Sequence, residues 1–222
     1  NLTHRNGHEH PEPLEPGKRY LVTVTMNDVA HAFPPGHKVR LALSTCYWPI
    51  AWPAPKPVTL SLFTGKSLMN LPARAPDRSD AALRPFESPE RAAAELIELR
   101  PAALKRIVER DRATNETIYT VSSGPGDTAN PKLITIKAID LEVGHTMLKR
   151  FRIGEEDPAT AQAEVIHTTR LRRGVWNTRV ETHTRFSSNS DDFILQAEVR
   201  AYEGDEQFFR REWVSRVKRD LL

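Results

Sequence analysis

The chain has 222 residues, 39% of them hydrophobic, and its 32 basic and 29 acidic side chains leave a formal charge of +3. That length and apolar content are enough for one or two ordinary cores, which argues against a disordered chain. The two signs of charge are interspersed with no basic block, and no apolar run approaches the roughly 20 residues of a membrane span, so neither nucleic acid nor a bilayer is an expected partner.

Residues 1 to 17 open with the densest group of metal-ligating side chains, His4, His8, Glu9 and His10, and continue through Pro11, Pro13, Pro16 and Gly17. Imidazoles and a carboxylate in one loop are candidate zinc or nickel ligands. No closing ligand follows at ordinary zinc-site spacing, however, and the reading preferred is a proline-stiffened entry loop with no metal and no cofactor. Between Tyr20 and Met26, the residues Tyr20, Val22, Val24 and Met26 alternate with Leu21, Thr23 and Thr25, the period of a strand packed on one face. Pro34-Pro35-Gly36 turns the chain. Val39, Leu41 and Leu43 repeat the alternation against Lys38, Arg40 and Ser44, and Val58, Leu60 and Leu62 predict a third strand over 58–63.

Between the second and third of these strands lies Tyr47-Trp48-Pro49-Ile50-Ala51-Trp52-Pro53. Prolines can hold such rings outward as a wall, so Tyr47, Trp48 and Trp52 are candidates for contact with another domain or with substrate, beside the plainer role of capping a β core. The single Cys46 excludes an internal disulfide; with no base beside it, a small buried core residue is expected rather than a nucleophile. His31 and His37 bracket the Pro-Gly turn without an acid or serine partner, so hydrogen bonding in the turn or at an interface is the expected role.

Residues 72–104 are punctuated by five prolines (Pro72, Pro76, Pro85, Pro89, Pro101) and read as a linker or wrapping arm. Ser88-Pro89 would start a helix over 89–99. From 105 onward strand patterns dominate. Trp176, Thr178, Val180, Thr182, Thr184 and Phe186 form one face of a long strand, and Phe193, Leu195, Ala197, Val199 and Ala201 the matching face of the next, predicting a hairpin. If the apolar faces coincide, opposed residues have an odd index sum. A sum of 379 would set Glu181 against Glu198. A sum of 377 sets Arg185 against Asp192 and is the expected register, with 381, which sets Glu181 against Arg200, as the alternative. Arg172-Arg173-Gly174 and Tyr202 to Glu206 are the flanking turns, the second leading to a last strand with Phe209, Trp213 and Val217; Trp176 and Trp213 are expected in the core, and Arg170, Arg172, Arg173, Arg210 and Arg211 in solvent.

The stretch His31-Ala-Phe-Pro-Pro-Gly-His-Lys-Val-Arg-Leu-Ala-Leu-Ser-Thr-Cys-Tyr-Trp-Pro49 resembles the C-terminal jelly-roll domain of bacterial acyl esterases of the cocaine esterase (CocE/NonD) and Xaa-Pro dipeptidyl-peptidase type. Asn1-Leu-Thr-His-Arg5, His8 to Leu14 and Glu15-Pro-Gly17 resemble the segment preceding that turn. Glu109-Arg-Asp111, Leu141 to His145, Asp157-Pro158, Tyr202 to Asp205 and Arg219-Asp-Leu221 are similar to landmarks of a C-terminal extension. The resemblance implies an all-β fold: the closing part of a jelly-roll, galactose-binding-like β-sandwich over 1–71, the arm over 72–104, and an antiparallel β-meander extension over 105–222. It favours extended structure over the helix at 89–99.

The resemblance also implies that the chain is the non-catalytic accessory region of a parent serine hydrolase of acyl ester or amide bonds; the single Cys46 fits a reducing compartment, so a cytoplasmic location is expected. Its partner would be the α/β-hydrolase catalytic domain of the same parent, on which it packs and whose pocket it shapes. No Gly-x-Ser-x-Gly elbow occurs here; the nearest approach, Ser122-Ser-Gly-Pro-Gly126, lacks the first glycine, so the chain alone is expected to be inactive. Since family jelly-roll strands precede the position of Asn1, an excised piece with an open strand edge that self-associates is expected. A different class of reading is a carbohydrate- or ligand-binding sandwich, which needs Trp48 and Trp52 as coplanar, exposed stacking rings.

Overall fold

The computed structural model describes residues 1–90, 92–123 and 132–222. Its body is a single antiparallel sheet of nine strands: β1 (Leu96–Arg100), β2 (Leu104–Asp111), β3 (Glu116–Ser123), β4 (Lys132–Ile136), β5 (Leu141–Gly154), β6 (Asp157–Arg173), β7 (Trp176–Ser188), β8 (Asp192–Glu203) and β9 (Glu206–Lys218). The all-β expectation and the antiparallel meander both hold. β5 to β9 follow one another in space as in sequence, and β5 forks: β3 pairs with its residues 147–154, β4 with residues 141–145. β2 then flanks β3 and β1 flanks β4.

The turns follow local chemistry. The β6–β7 and β8–β9 connections each have two residues, with Gly174 and Gly204 both at φ +56°, a region that only glycine enters without strain. After β2, the Asp111 carboxylate accepts the Ala113 amide at 2.8 Å and closes the turn to β3.

The β7–β8 hairpin corrects the expected register. Its index sum is 381, with Glu181 opposite Arg200 and Ser188 opposite Phe193, and not 377. Two causes are visible. The Asn189 side chain accepts the amides of Asp191 and Asp192 at 2.9 and 2.7 Å, which fixes the turn at 189–192 rather than 187–190. The charges expected to pair with each other also find partners outside the hairpin: Arg185 reaches Glu164 on β6 at 3.3 Å, and Asp192 takes Lys218 on β9 at 3.0 Å. The sum of 379, rejected on charge, does not occur.

The three strands expected over 20–26, 39–44 and 58–63 do not form; among the described residues before β1 the regular elements are the short 3-10 turns Leu2–His4, Thr64–Lys66 and Arg78–Ala82. Alternation gives a segment a face but not a ladder partner, and three short strands bury too little surface to stand alone. Val24, Leu41 and Leu60 are accordingly exposed, no second sheet forms among the described residues, and Cys46 is exposed rather than in a core. The Pro34-Pro35-Gly36-His37 turn does form, closed by the His37 amide on the Pro34 carbonyl at 3.1 Å with Gly36 at φ +83°. Residues 89–99 make no helix among those described; the extended alternative holds there, and β1 begins inside the expected arm. Of Ser122-Ser-Gly-Pro-Gly126, the two serines end β3 and the rest lies outside the described residues.

The sheet has two unlike faces. One carries a transverse row of directly opposed residues, Val108, Tyr119, Phe151, Ala163, Phe186 and Leu195. The other carries ion pairs. Glu164 lies 3.3 Å from Arg150, 2.9 Å from His183 and 3.3 Å from Arg185. Burial pushes its carboxyl pKa up, but the hydrogen bonds from His183, Arg185 and Arg150 together outweigh this and hold it below the usual glutamate value. Glu198 is held low in the same way by hydrogen bonds from Arg200 and Arg210. Arg210 is therefore an ion-pair partner of Glu198 and Glu212 rather than a merely solvated side chain.

Candidate functional site

Among the described residues that precede β1, it is the Tyr47–Pro53 loop whose side chains lie over the apolar row. Trp48 packs edge-on against Phe151 with centroids 6.0 Å apart, and Trp52 edge-on against Phe186 at 4.6 Å and Phe193 at 5.9 Å. Ala163, directly between Phe151 and Phe186 in the row, leaves room between the two rings that receive the indoles. The prolines shape the loop: Trp48–Pro49 is a cis peptide, and the amides of Ile50 and Ala51 both bond the Tyr47 carbonyl, at 2.8 and 2.9 Å.

A buried arginine fixes the loop from below. Arg219, 1% exposed, donates to the Pro53 carbonyl at 2.6 Å, the Asn189 carbonyl at 2.9 Å, the Ser188 hydroxyl at 3.2 Å and the Leu222 carbonyl at 2.8 Å. Its guanidinium also lies 4.9 Å from the Phe193 ring centroid. The Trp52 indole N–H donates to the same Ser188 hydroxyl at 2.8 Å. Burial lowers the Arg219 pKa from its ordinary value, yet arginine keeps its proton, so the fork remains a full set of donors. A solitary arginine three residues before the last residue of the sequence reads as solvated, and no spacing in the sequence distinguishes it. The hint available was Asn189, whose turn chemistry places an acceptor carbonyl at the hairpin end.

The same end of the sheet receives the entry loop. The Thr3 hydroxyl donates to the Leu221 carbonyl at 2.9 Å, and His4 Nε2 lies 3.3 Å from the Asp220 carbonyl. His4 and His8 meet through their Nδ1 atoms at 3.0 Å, whereas His10 is exposed apart from them. Among the described residues no three His, Cys, Asp or Glu side chains converge as a metal site would require. His31 is exposed with its ring edge-on to Phe33 at 4.9 Å, His37 is an exposed turn residue, and neither meets the tryptophan loop.

Trp48 and Trp52 therefore come together and Tyr47 does not join them: it is 67% exposed. The two indoles stand 4.9 Å apart at 89°, edge to face, so they do not offer the coplanar surface on which a sugar ring would stack. Beside Trp48 is a cleft of about 300 Å³ lined by Trp48, Pro49, Val108, Thr117, Tyr119 and Phe151. The Trp48 indole N–H is buried and has no hydrogen-bond partner among the described residues. Trp176, at the start of β7, and Trp213, on the outermost strand β9, were expected in the core but are both partly exposed.

On the same face as Phe151 and Ala163, further along β5 and β6, His167 lies 6.4 Å from His145. Burial, and then the charge of His145, lower its pKa from the ordinary imidazole value. Among the described residues no helix is long and apolar enough to cross a membrane.

Residues 1–84 match the family described as the X-Pro dipeptidyl-peptidase C-terminal non-catalytic domain. The match contains the tryptophan loop and ends before β1, so the sheet and the landmarks seen at 109–111, 141–145, 157–158, 202–205 and 219–221 lie outside it. No curated protein and no solved structure matches the chain.

Proposed function

We propose, from the match of residues 1–84 to a non-catalytic peptidase-family domain, that the chain is the accessory C-terminal β region of a serine hydrolase acting on acyl ester or amide bonds. The nucleophile, base and acid belong to an α/β-hydrolase portion of the same parent protein. This chain is its seat: the hydrolase portion docks on the exposed side of Tyr47 and Trp48 and over the neighbouring cleft, where the accessory region forms part of the pocket wall. That role is one of positioning, since no residue gathered at the tryptophan loop is a nucleophile or a general base.

The observation that carries this reading is the tryptophan loop itself. Its sequence falls within the matched region, yet its side chains are gripped from one side by the sheet and Arg219, while an apolar cleft and the buried, unpaired Trp48 N–H remain beside it. A docked partner that covers the cleft removes its apolar lining from water.

The test compares hydrolysis of p-nitrophenyl acyl esters, and labelling by a serine-directed fluorophosphonate, for the chain alone and for the chain joined to the hydrolase portion. Turnover and labelling only in the joined protein, weakened by Trp48→Ala through KM more than through label uptake, is the expected result. Labelling of the 222-residue chain alone would place a nucleophile within it and overturn the reading.

A further inference from the structure

β9 is the outermost strand on one side of the sheet and is paired only with β8. It is 13 residues long, every residue is exposed, and it presents Phe208, Phe209, Trp213, Val214 and Val217 together with Arg210, Arg211, Glu212 and Arg216. A long apolar edge is a ready template for another strand, and charges pointing from it decide which strand fits.

We infer that β9 is a self-recognition edge: two copies of the chain pair β9 against β9, antiparallel about a two-fold axis through Arg211, to make one continuous sheet. In such an isologous pair residue i faces residue S minus i, and keeping the apolar faces on the same side requires an even S. A sum of 422 sets Arg210 opposite Glu212 twice, Phe209 opposite Trp213 twice and Phe208 opposite Val214 twice. Its one like-charge contact is Arg211 with its own copy on the axis, and each Arg211 guanidinium is already drawn over the Trp213 ring of its own chain, 4.9 Å from the centroid.

The neighbouring registers are each penalised. A sum of 422 also sets Glu206 opposite Arg216 twice, whereas 424 opposes Glu212 to Glu212 against two Glu206–Lys218 pairs, 420 opposes Arg210 to Arg210, 426 opposes Arg210 to Arg216 twice, and 428 opposes Arg210 to Lys218 twice against two Glu212–Arg216 pairs. Since cross-strand pairs stabilise or destabilise according to sign, the sequence of β9 selects itself in one register and resists a strand of arbitrary sequence. The ladder irregularity opposite Ala201 and Tyr202, where Phe208 is the extra residue, leaves the central pairs from 209 to 213 clear. The pairing uses the sheet edge and leaves the Trp48 cleft free, so its success or failure is separable from docking at the tryptophan loop.

The experiment is sedimentation velocity on the whole chain over a concentration series, with far-UV circular dichroism to confirm that each variant keeps its sheet. A concentration-dependent dimer is expected. Glu212→Arg turns both Arg210–Glu212 pairs into like-charge pairs and should raise the dimer dissociation constant by about tenfold or more. Arg210→Glu should do the same, and an equal mixture of the two variants should form a heterodimer, because each then supplies the charge the other lacks. Register is read by cross-linking in a Cys46→Ser background: Arg211→Cys should give a disulfide-linked dimer under oxidised glutathione, and Trp213→Cys should not. A monomer at every concentration, a dimer indifferent to Glu212→Arg, or cross-linking through position 213 and not 211 would each overturn the assignment.

Discussion

Truncating Arg219 tests whether the first 95 residues are held to the sheet by the contacts at its end. Arg219→Ala removes four hydrogen bonds, to the carbonyls of Pro53, Asn189 and Leu222 and to the Ser188 hydroxyl, and the cation–π contact with Phe193. Bonds from a charged donor contribute about 1.5–3 kcal/mol each, but they share one guanidinium and do not add. The substitution also relieves the cost of holding a charge out of water, the same burial that lowers the Arg219 pKa. Against that relief stands the Pro53 carbonyl, left without its 2.6 Å donor. Balancing these, the expected loss is about 2–4 kcal/mol at the loop–sheet contact, in the range typical of breaking a buried network. The loss should be local. Tryptophan emission should shift to the red as Trp52 is wetted, and limited proteolysis should cut within residues 1–95, while the far-UV spectrum of the nine-stranded sheet is kept. Arg219→Lys keeps the charge but not the fork and should recover less than half of the protection. An Arg219→Ala chain with unchanged emission and unchanged cleavage would refute the reasoning, because it would mean that the indole contacts alone hold the loop.

Trp52→Ala should release the same loop, and since Trp52 and Arg219 both bond Ser188, a double-mutant cycle on proteolysis rates should show coupling of at least about 0.5 kcal/mol; additive losses would mean the shared hydroxyl transmits nothing. Gly174→Ala meets no atom within 4 Å but sits at φ +56°, so a melt should show a loss of about 1 kcal/mol from backbone strain alone, and a neutral result would contradict that conformation. Acidification should weaken the sheet in two windows. His167, lowered from 6.5, contributes stability that is full above 6.5 and declines as pH falls from there toward its folded value, whereas Glu164 and Glu198, lowered from 4.5, contribute above 4.5 and lose this as pH falls through their lower folded values. His167→Gln should flatten the upper window of a melting-temperature profile and leave the lower one; a wild-type profile that is flat between pH 7 and 5 would be the contrary result. Reversing Glu181 to Lys should weaken the β7–β8 hairpin and Arg200→Glu should rescue it, as only the index sum of 381 allows.

The sheet was legible where alternation and turn residues agreed. β6 to β9 announce themselves through opposed apolar faces and the glycines at 174 and 204, because each such strand finds its partner next in sequence. The register of β7 and β8 was legible only as far as two-strand charge arguments reach: they exclude 379 but cannot choose between 377 and 381, since Glu164 on β6 and Lys218 on β9 claim the charges that would have decided it. Residues 20–63 show the converse error, a strand period with no ladder. At the site, Trp48 and Trp52 stood out by their proline-bound setting; Tyr47 beside them is exposed and does not join the two indoles. Arg219 was invisible, because its role depends on carbonyls 166 and 30 positions away in the chain.

The fork at β5 bears on the order in which the sheet assembles. From β5 to β9 every connection has two or three residues, so each pairing closes a short loop and the meander can zip up hairpin by hairpin on a fast timescale. The two branches cannot join so cheaply: β3 must reach β5 across more than 20 intervening residues, and Trp52 must find Ser188 over a separation of 136. Folding should therefore run in two kinetic stages, a rapid one that builds the strand ladder and a slower one that adds the branches and lays the tryptophan loop on a surface already formed.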